Sequence, residues 1–217
     1  YKPNSAFYEM WGEEGINALQ RTIAEIHMIA PDVPVILDAK RADIGNTNAG
    51  YVEAAFDFLQ ADAITVHPYL GAEALQPFLE RKDKGIIVLC RTSNPGADEF
   101  QDLYVNAHGE KLFHRVARHV ANAWNKNGNC ALVVGATYPE ELREVRKIVG
   151  DMPILIPGIG AQGGDVEKTV HAGKDSLGQG MIINSSRGII FASKSEDFAD
   201  AARHETEKLR DLINKYR

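Results

Sequence analysis

Short apolar runs alternate along this chain with longer segments whose apolar residues recur every three or four positions. The runs "VPVILDA" (33–39), "AITVH" (63–67), "GIIVLCR" (85–91), "CALVVG" (130–135), "MPILIP" (152–157) and "GMIINSS" (180–186) read as strands. Their apolar character is nearly continuous, the mark of strands covered on both faces. In the segment 47–60, Ala49, Val52, Phe56 and Leu59 fall on one face of a helix. Further helices are predicted over about 14–30, over 71–80 with Pro77 as a kink or early break, and over 108–127 with a stop at Gly128. Three more follow, over 138–149, near 165–172 and over about 197–215. Tyr1-Lys2 reads as the tail of one more strand.

Strands that alternate with helices pair in parallel through right-handed crossovers. The expectation is therefore an α/β protein, a single domain over residues 1–217 built as a (β/α)8 TIM barrel. Six full strands are counted from Val33 onward. A barrel needs eight and typically about 250 residues, so the first strand and the start of the second are expected to lie outside this chain. An open doubly wound sheet is the competing architecture. No linker divides the chain, and its longest irregular stretch, 92–107, follows a strand, where loops of that length commonly carry function.

Composition narrows the class. The 217 residues are 44% apolar and 25% charged, with a net charge of −6 and no basic stripe, which argues against a nucleic-acid surface. No apolar stretch is long enough to span a membrane, and no signal-peptide pattern is present. Cys90 and Cys130 border apolar runs and read as small buried residues of a reducing compartment, so a cytoplasmic location is expected. The chain opens on Tyr1 rather than Met, so its natural start is expected upstream.

The candidate chemistry begins at "LDAKRADIGNT" (37–47), where Asp38, Lys40 and Asp43 fall within six residues at a strand end. Charged groups are costly there unless they pair or work. Strand alternation puts Ile36, Asp38 and Lys40 on one side and Leu37 and Ala39 on the other. In a barrel, that side can face the mouth where active sites sit. Asp43 lies past the strand and is free to reach elsewhere, including a neighbouring subunit. An ammonium among carboxylates keeps its proton, so Lys40 reads as a poised proton donor rather than a Schiff-base nucleophile. Incidental ion pairs at a solvated strand exit are the plain alternative.

"PGIGAQGGD" (157–165) joins a strand to a helix, and its glycines let backbone N–H groups approach an anion. Gly158, Gly160 and Gly163 spell a dinucleotide-binding fingerprint, but a single helix after the next strand leaves no room for that fold to finish. "NSSRG" (184–188) ends the last strand, and Arg187 offers a planar fork of donors. A glycine loop after the penultimate strand and a loop after the last form the phosphate site of such barrels, so phosphate binding is preferred to a surface ion pair. "RTSNPGADEF" (91–100) reads as an ordinary turn, and His67 as a hydrogen-bonded structural residue. The seven histidines form no zinc pattern, so no metal is expected.

Taken together, "DAKRADIGNT", "KPNSAFYE", "TVHPYLG", "TSNPGA", "PGIGAQGGD" and "SSRGI" resemble, in order, the orotidine 5'-phosphate decarboxylase family, in its branch with a K-P-N-S-A-F opening. The resemblance runs from Lys2 to at least Ala192. It implies a (β/α)8 barrel acting as a homodimer with shared active sites. It also implies no metal or organic cofactor, and conversion of orotidine 5'-monophosphate to UMP in pyrimidine biosynthesis. It makes Lys40 the proton donor to C6 of the pyrimidine and sets Asp38 beside the leaving carboxylate. It sends Asp43, Ile44 and Thr47 into the partner's site and joins Lys2 to the charge network near the ribose. Ser93 is matched to the pyrimidine, Pro157 to the face of the base, and Gln162 and Arg187, with the backbone near Gly188, to the phosphate. The family's first-strand aspartate has no counterpart in this chain. A sugar-phosphate epimerase or keto-acid decarboxylase on a similar barrel is the enzymatic alternative, and a silent nucleotide-binding barrel the non-enzymatic one.

Overall fold

The computed structural model describes residues 1–159 and 164–217. The chain forms two compact units, Tyr1–Leu89 with His119–Ala131, and Cys90–Arg118 with Leu132–Arg217.

The first unit opens with Tyr1–Asn4 laid parallel along β1 (Ile36–Arg41). The N–H groups of Ile36 and Asp38 donate to the carbonyls of Tyr1 and Pro3 at 2.8 and 2.9 Å, so the opening residues act as strand, as the sequence implies. Helices α1 (Ala6–Glu9) and α2 (Gly12–Ile29) precede β1. Gly15, Leu19 and Ile23, four apart, are the buried face of α2. Then come α3 (Gly45–Val52), β2 (Ala63–Val66), α4 (Gly71–Leu79) and β3 (Gly85–Arg91). Helix α3 continues as π-helix over Glu53–Phe58, and Gln60 beyond it takes a left-handed φ of 59°. Helix α4 runs through Pro77 rather than breaking there.

β1, β2 and β3 pair in parallel. β2 and β3 keep one register from Ala63↔Gly85 to Val66↔Val88. The β1–β2 ladder does not: Leu37 faces Ile64 but Arg41 faces Val66, four steps along β1 against two along β2. The surplus residues lie in the stretch that holds Asp38, Ala39 and Lys40, and Lys40 has a φ of 48°. Strict alternation across this strand end, expected from the sequence, is thus replaced by a bulge. The core of the unit is Val35, Ile64, Val66, Ile86 and Val88 against Leu19, Ile23, Phe56, Leu75 and Phe78, all at or near zero exposure.

The second unit holds α5 (Asp98–Gln101), most of α6 (Leu112–His119), most of β4 (Cys130–Val134), α7 (Pro139–Val149), β5 (Ile154–Pro157), α8 (Val166–Gly173), β6 (Met181–Asn184), α9 (Arg187–Ile190) and α10 (Phe198–Tyr216). β4, β5 and β6 pair in parallel, with Leu132↔Ile154 and Ile154↔Met181 in register. The loop 92–107 carries a 3-10 turn over Pro95–Ala97 and the short α5, so it is more structured than its composition implies. Leu132, Val134, Ile154, Leu155 and Ile156 pack with Phe113, Leu142, Val145 and Val170. Arg146 is buried; its guanidinium donates to the carbonyls of Gly150, Met152, Gly173 and Gly180 and so ties the end of α7 to the end of α8 and the start of β6. Both cysteines are buried and unbridged. Among the described residues, no helix is long and apolar enough to cross a membrane.

Candidate active site

Asp38 is the centre of the first unit's polar cluster. It lies on β1 with 8% of its surface exposed and is contacted from four directions. Lys2 Nζ donates to Oδ2 at 2.7 Å, and Asn4 Nδ2 to the same oxygen at 3.4 Å. Lys40 Nζ donates to Oδ1 at 2.5 Å, and the Thr65 hydroxyl, from β2, to the same atom at 3.0 Å. Burial pushes the Asp38 carboxyl up, but Lys2 and then Lys40 outweigh it and hold it below the ordinary carboxylate range. The pairing of Tyr1–Asn4 with β1 puts Lys2 there, and the bulge turns Lys40 back toward Asp38.

Lys40 differs from Lys2 in exposure. The Lys2 side chain is 10% exposed and that of Lys40 is 47% exposed. Lys2 is thus sealed into the cluster, whereas the ammonium of Lys40 stands at its rim, open to a ligand. The Lys40 backbone N–H donates to Thr65 Oγ1 at 2.9 Å.

Asp43 stands apart from this cluster. Among the described residues it makes no ion pair with Lys40; its Oδ1 accepts the Ile44 N–H at 2.7 Å. The turn that carries it is pinned by the fully buried Asn48, whose Oδ1 accepts the Asp43 N–H and whose Nδ2 donates to the carbonyls of Asp43 and Ala74. Ile44 and Thr47 are exposed. His67 is held by Ala42 O at 3.1 Å from Nε2 and by the Tyr69 N–H, the structural role expected of it.

In the second unit, Ser93 follows β3 and lies on Gly135, where a Cβ would come within 2.7 Å of the Ser93 Cβ and 3.0 Å of its Cα. Next to Ser93, Arg91 is 2% exposed. It donates from Nη1 to Thr92 O at 2.9 Å and from Nη2 to Asp102 at 3.2 Å, and it stacks on Tyr138 at 4.5 Å. Its Nε is 3.1 Å from Asp102 Oδ1, an ion-pair distance without hydrogen-bond alignment. Gln101 and Thr92 bond each other through backbone and side chain. The segment read from sequence as an ordinary turn is thus a braced loop.

Pro157 ends β5 and accepts the Ala136 N–H at 2.8 Å. Gly160, Gln162 and Gly163 lie outside the described residues, so the structure does not place Gln162. Asp165 caps α8 by accepting the Lys168 N–H at 3.0 Å. Arg187 and Gly188 are exposed at the start of α9, and among the described residues Arg187 makes no ion pair. No group of three or more His, Cys, Asp or Glu among the described residues could hold a metal ion.

Thr65, Asn48, Gly135 and the Arg91–Asp102 pair are additions to the residues picked from sequence. Thr65 leaves a signal, a lone hydroxyl in the apolar run "AITVH". Asn48 and Gly135 leave none that separates them from ordinary helix and loop residues.

Parallel strands linked by helices, with a buried carboxylate clamped between two lysines at a strand end, define an α/β protein with a concentrated charged site. The sequence matches the profile of the "Orotidine 5'-phosphate decarboxylase / HUMPS family" over residues 1–202. A protein of Azoarcus sp. named orotidine 5'-phosphate decarboxylase is 53% identical over all of this chain and 79% of its own length. The structure of Leishmania donovani OMP decarboxylase superposes with a TM-score of 0.86 at 41% identity, covering 99% of this chain and 81% of that one. The Leishmania donovani UMP synthase structure gives 0.87 at 43% identity, over 98% of this chain and 46% of that one. The chain belongs to the orotidine 5'-phosphate decarboxylase / HUMPS family.

Proposed function

We propose that this chain decarboxylates orotidine 5'-monophosphate to UMP, with Lys40 as the proton donor and no cofactor. The observation that supports this most directly is the Lys2–Asp38–Lys40 cluster. In the reaction the bond between C6 and the carboxylate breaks and CO2 leaves. The electron pair stays on C6, and C6 takes a proton from the Lys40 Nζ. That charge cannot spread into the ring, so an ammonium fixed beside C6 stabilises what develops only in the transition state. Asp38 anchors the ammonium at 2.5 Å, and Lys2 offsets its negative charge from the opposite oxygen at 2.7 Å.

The remaining roles belong to the same reading. Ser93 and Pro157 bind the pyrimidine, and Gln162, Arg187 and the backbone at Gly188 bind the phosphate. Phosphate binding, remote from C6, contributes binding energy to the reacting geometry. The enzyme is read as a cytoplasmic homodimer on a (β/α)8 barrel, with Asp43, Ile44 and Thr47 serving the partner's site. Asp43 in its own chain turns to Ile44 rather than to Lys40, which agrees with that assignment.

The test is Lys40→Ala. Turnover, followed as loss of orotidylate absorbance without added metal, is expected to vanish while UMP binding stays measurable. Near-normal turnover would sink the assignment.

A further inference from the structure

Thr65 is buried on β2 at 1% exposure, and its one hydroxyl serves both halves of the Asp38–Lys40 pair. It accepts the Lys40 backbone N–H at 2.9 Å and donates to Asp38 Oδ1 at 3.0 Å. The same Oδ1 takes the Lys40 ammonium at 2.5 Å. The contacts close a ring, from Lys40 backbone to Thr65 hydroxyl to Asp38 carboxylate to Lys40 side chain. A hydroxyl has one hydrogen to give and lone pairs to receive, so the two bonds fit its capacity.

The backbone at Lys40 explains why such a ring is needed. A φ of 48° at a residue with a side chain is unfavourable and persists only where the surroundings enforce it. Lys40 sits where the β1–β2 register is broken, and its N–H finds an acceptor in the Thr65 side chain rather than in the β2 backbone. A valine would fill the same volume on β2 but could neither receive that N–H nor orient the carboxylate. Packing therefore does not account for a hydroxyl at this position.

We infer that Thr65 is a positioning residue for the decarboxylation: its hydroxyl locks the left-handed backbone of Lys40 and the rotamer of Asp38, so that the ammonium is presented at one place. The inference rests on the reading of Lys40 as proton donor. Thr65 itself touches no reacting atom in this scheme. Its loss shows in the chemical step, where misplacement of a catalytic group by about 1 Å can cost a hundredfold.

The experiment compares Thr65→Val, Thr65→Ala and Thr65→Ser with the parent in kcat, in KM and in the Kd for UMP. Val and Ala are expected to lower kcat by about 10- to 100-fold with the Kd for UMP changed less than about twofold. Ser, which keeps the hydroxyl, is expected to stay within about threefold of the parent. A structural role alone would move stability and UMP binding together and would not be rescued by Ser. Parental kcat in Val or Ala, or a loss in Ser as large as in Ala, overturns the inference. If Val does not fold, the Ser and Ala pair decides. Lys40→Ala run in parallel separates the two claims. An inactive Lys40→Ala beside a fully active Thr65→Val defeats only the role of Thr65; an active Lys40→Ala defeats the reading of the site.

Discussion

Lys2 and Asp38 form an ion pair of 2.7 Å in which the two side chains are 10% and 9% exposed. The residues are 36 apart in sequence, and the pair exists because Tyr1–Asn4 lies along β1. Its burial makes Asp38 a stability determinant as well as a site residue. With its folded pKa depressed, the carboxylate contributes stability that is fully present above the unfolded value near 3.8 and is lost as pH falls through the lower folded value.

Lys2→Met tests that contribution. Removing one partner of a buried pair leaves the other charge undercompensated, although Lys40 and Thr65 still hold Asp38 here. The expected cost is on the order of 2–3 kcal/mol at neutral pH. The gap to the parent should narrow as the pH falls and the folded variant, without the Lys2 ammonium, takes up a proton at Asp38 before the folded parent does. Urea denaturation at pH 7 and pH 3.5 measures it. A gap independent of pH would show that Lys2 stabilises by packing alone.

Gly135 touches Ser93 closely enough that a methyl group there would meet the Ser93 Cβ at 2.7 Å. Arg91 and Asp102 brace the other side of that loop, so it cannot retreat without breaking a buried ion pair. Gly135→Ala should therefore displace Ser93 and weaken UMP about tenfold, with a stability loss of about 1–3 kcal/mol from overpacking. Titration calorimetry with UMP reads the first effect. Unchanged affinity in a folded variant would remove Ser93 from the pyrimidine contacts.

Much of this was legible in the sequence, because helix and strand periods differ and the strands are short, nearly continuous apolar runs. All six strands fall where those runs predict, and Asp38 and Lys40 do meet. The route is different. Alternation assumes an unbroken pleat, whereas the β1–β2 register shifts between Leu37 and Arg41 and Lys40 takes a left-handed φ. A bulge depends on what the neighbouring strand offers, here the Thr65 hydroxyl, and no local pattern in "LDAKRAD" encodes it. The π-helical stretches at Glu53–Phe58 and Val120–Trp124 were equally invisible, since the apolar spacing of a helix changes little when one turn widens. Buried polar braces such as Asn48 and Arg146 depend on carbonyls far away in sequence.

Arg187 begins a four-residue helix, exposed and, among the described residues, without an ion-pair partner. A guanidinium left open at a strand end suits a phosphate, which it can bind through two parallel donors. Arg187→Ala should weaken UMP by about 2 kcal/mol while leaving the affinity for uridine nearly unchanged. Competition binding with both ligands separates the outcomes. An equal loss for the unphosphorylated nucleoside would contradict a phosphate role.

Asp43 gives the sharpest test of the proposal that the site is shared between two subunits. Asn48 fixes its turn from both sides, its carboxylate turns to the Ile44 N–H, and Ile44 beside it is 62% exposed. A carboxylate so placed is separate from the Lys40 ammonium of its own chain, as a group lent to a second subunit would be. Lys40→Ala and Asp43→Ala should each be inactive as pure proteins. In a mixed dimer, one site combines both damaged residues and the other combines both intact ones. Equal mixing after subunit exchange makes about half of the dimers mixed, so about one quarter of the parental activity should return. Activity that stays at zero, with exchange demonstrated by mass spectrometry of differently tagged chains, would mean that Asp43 acts within its own subunit.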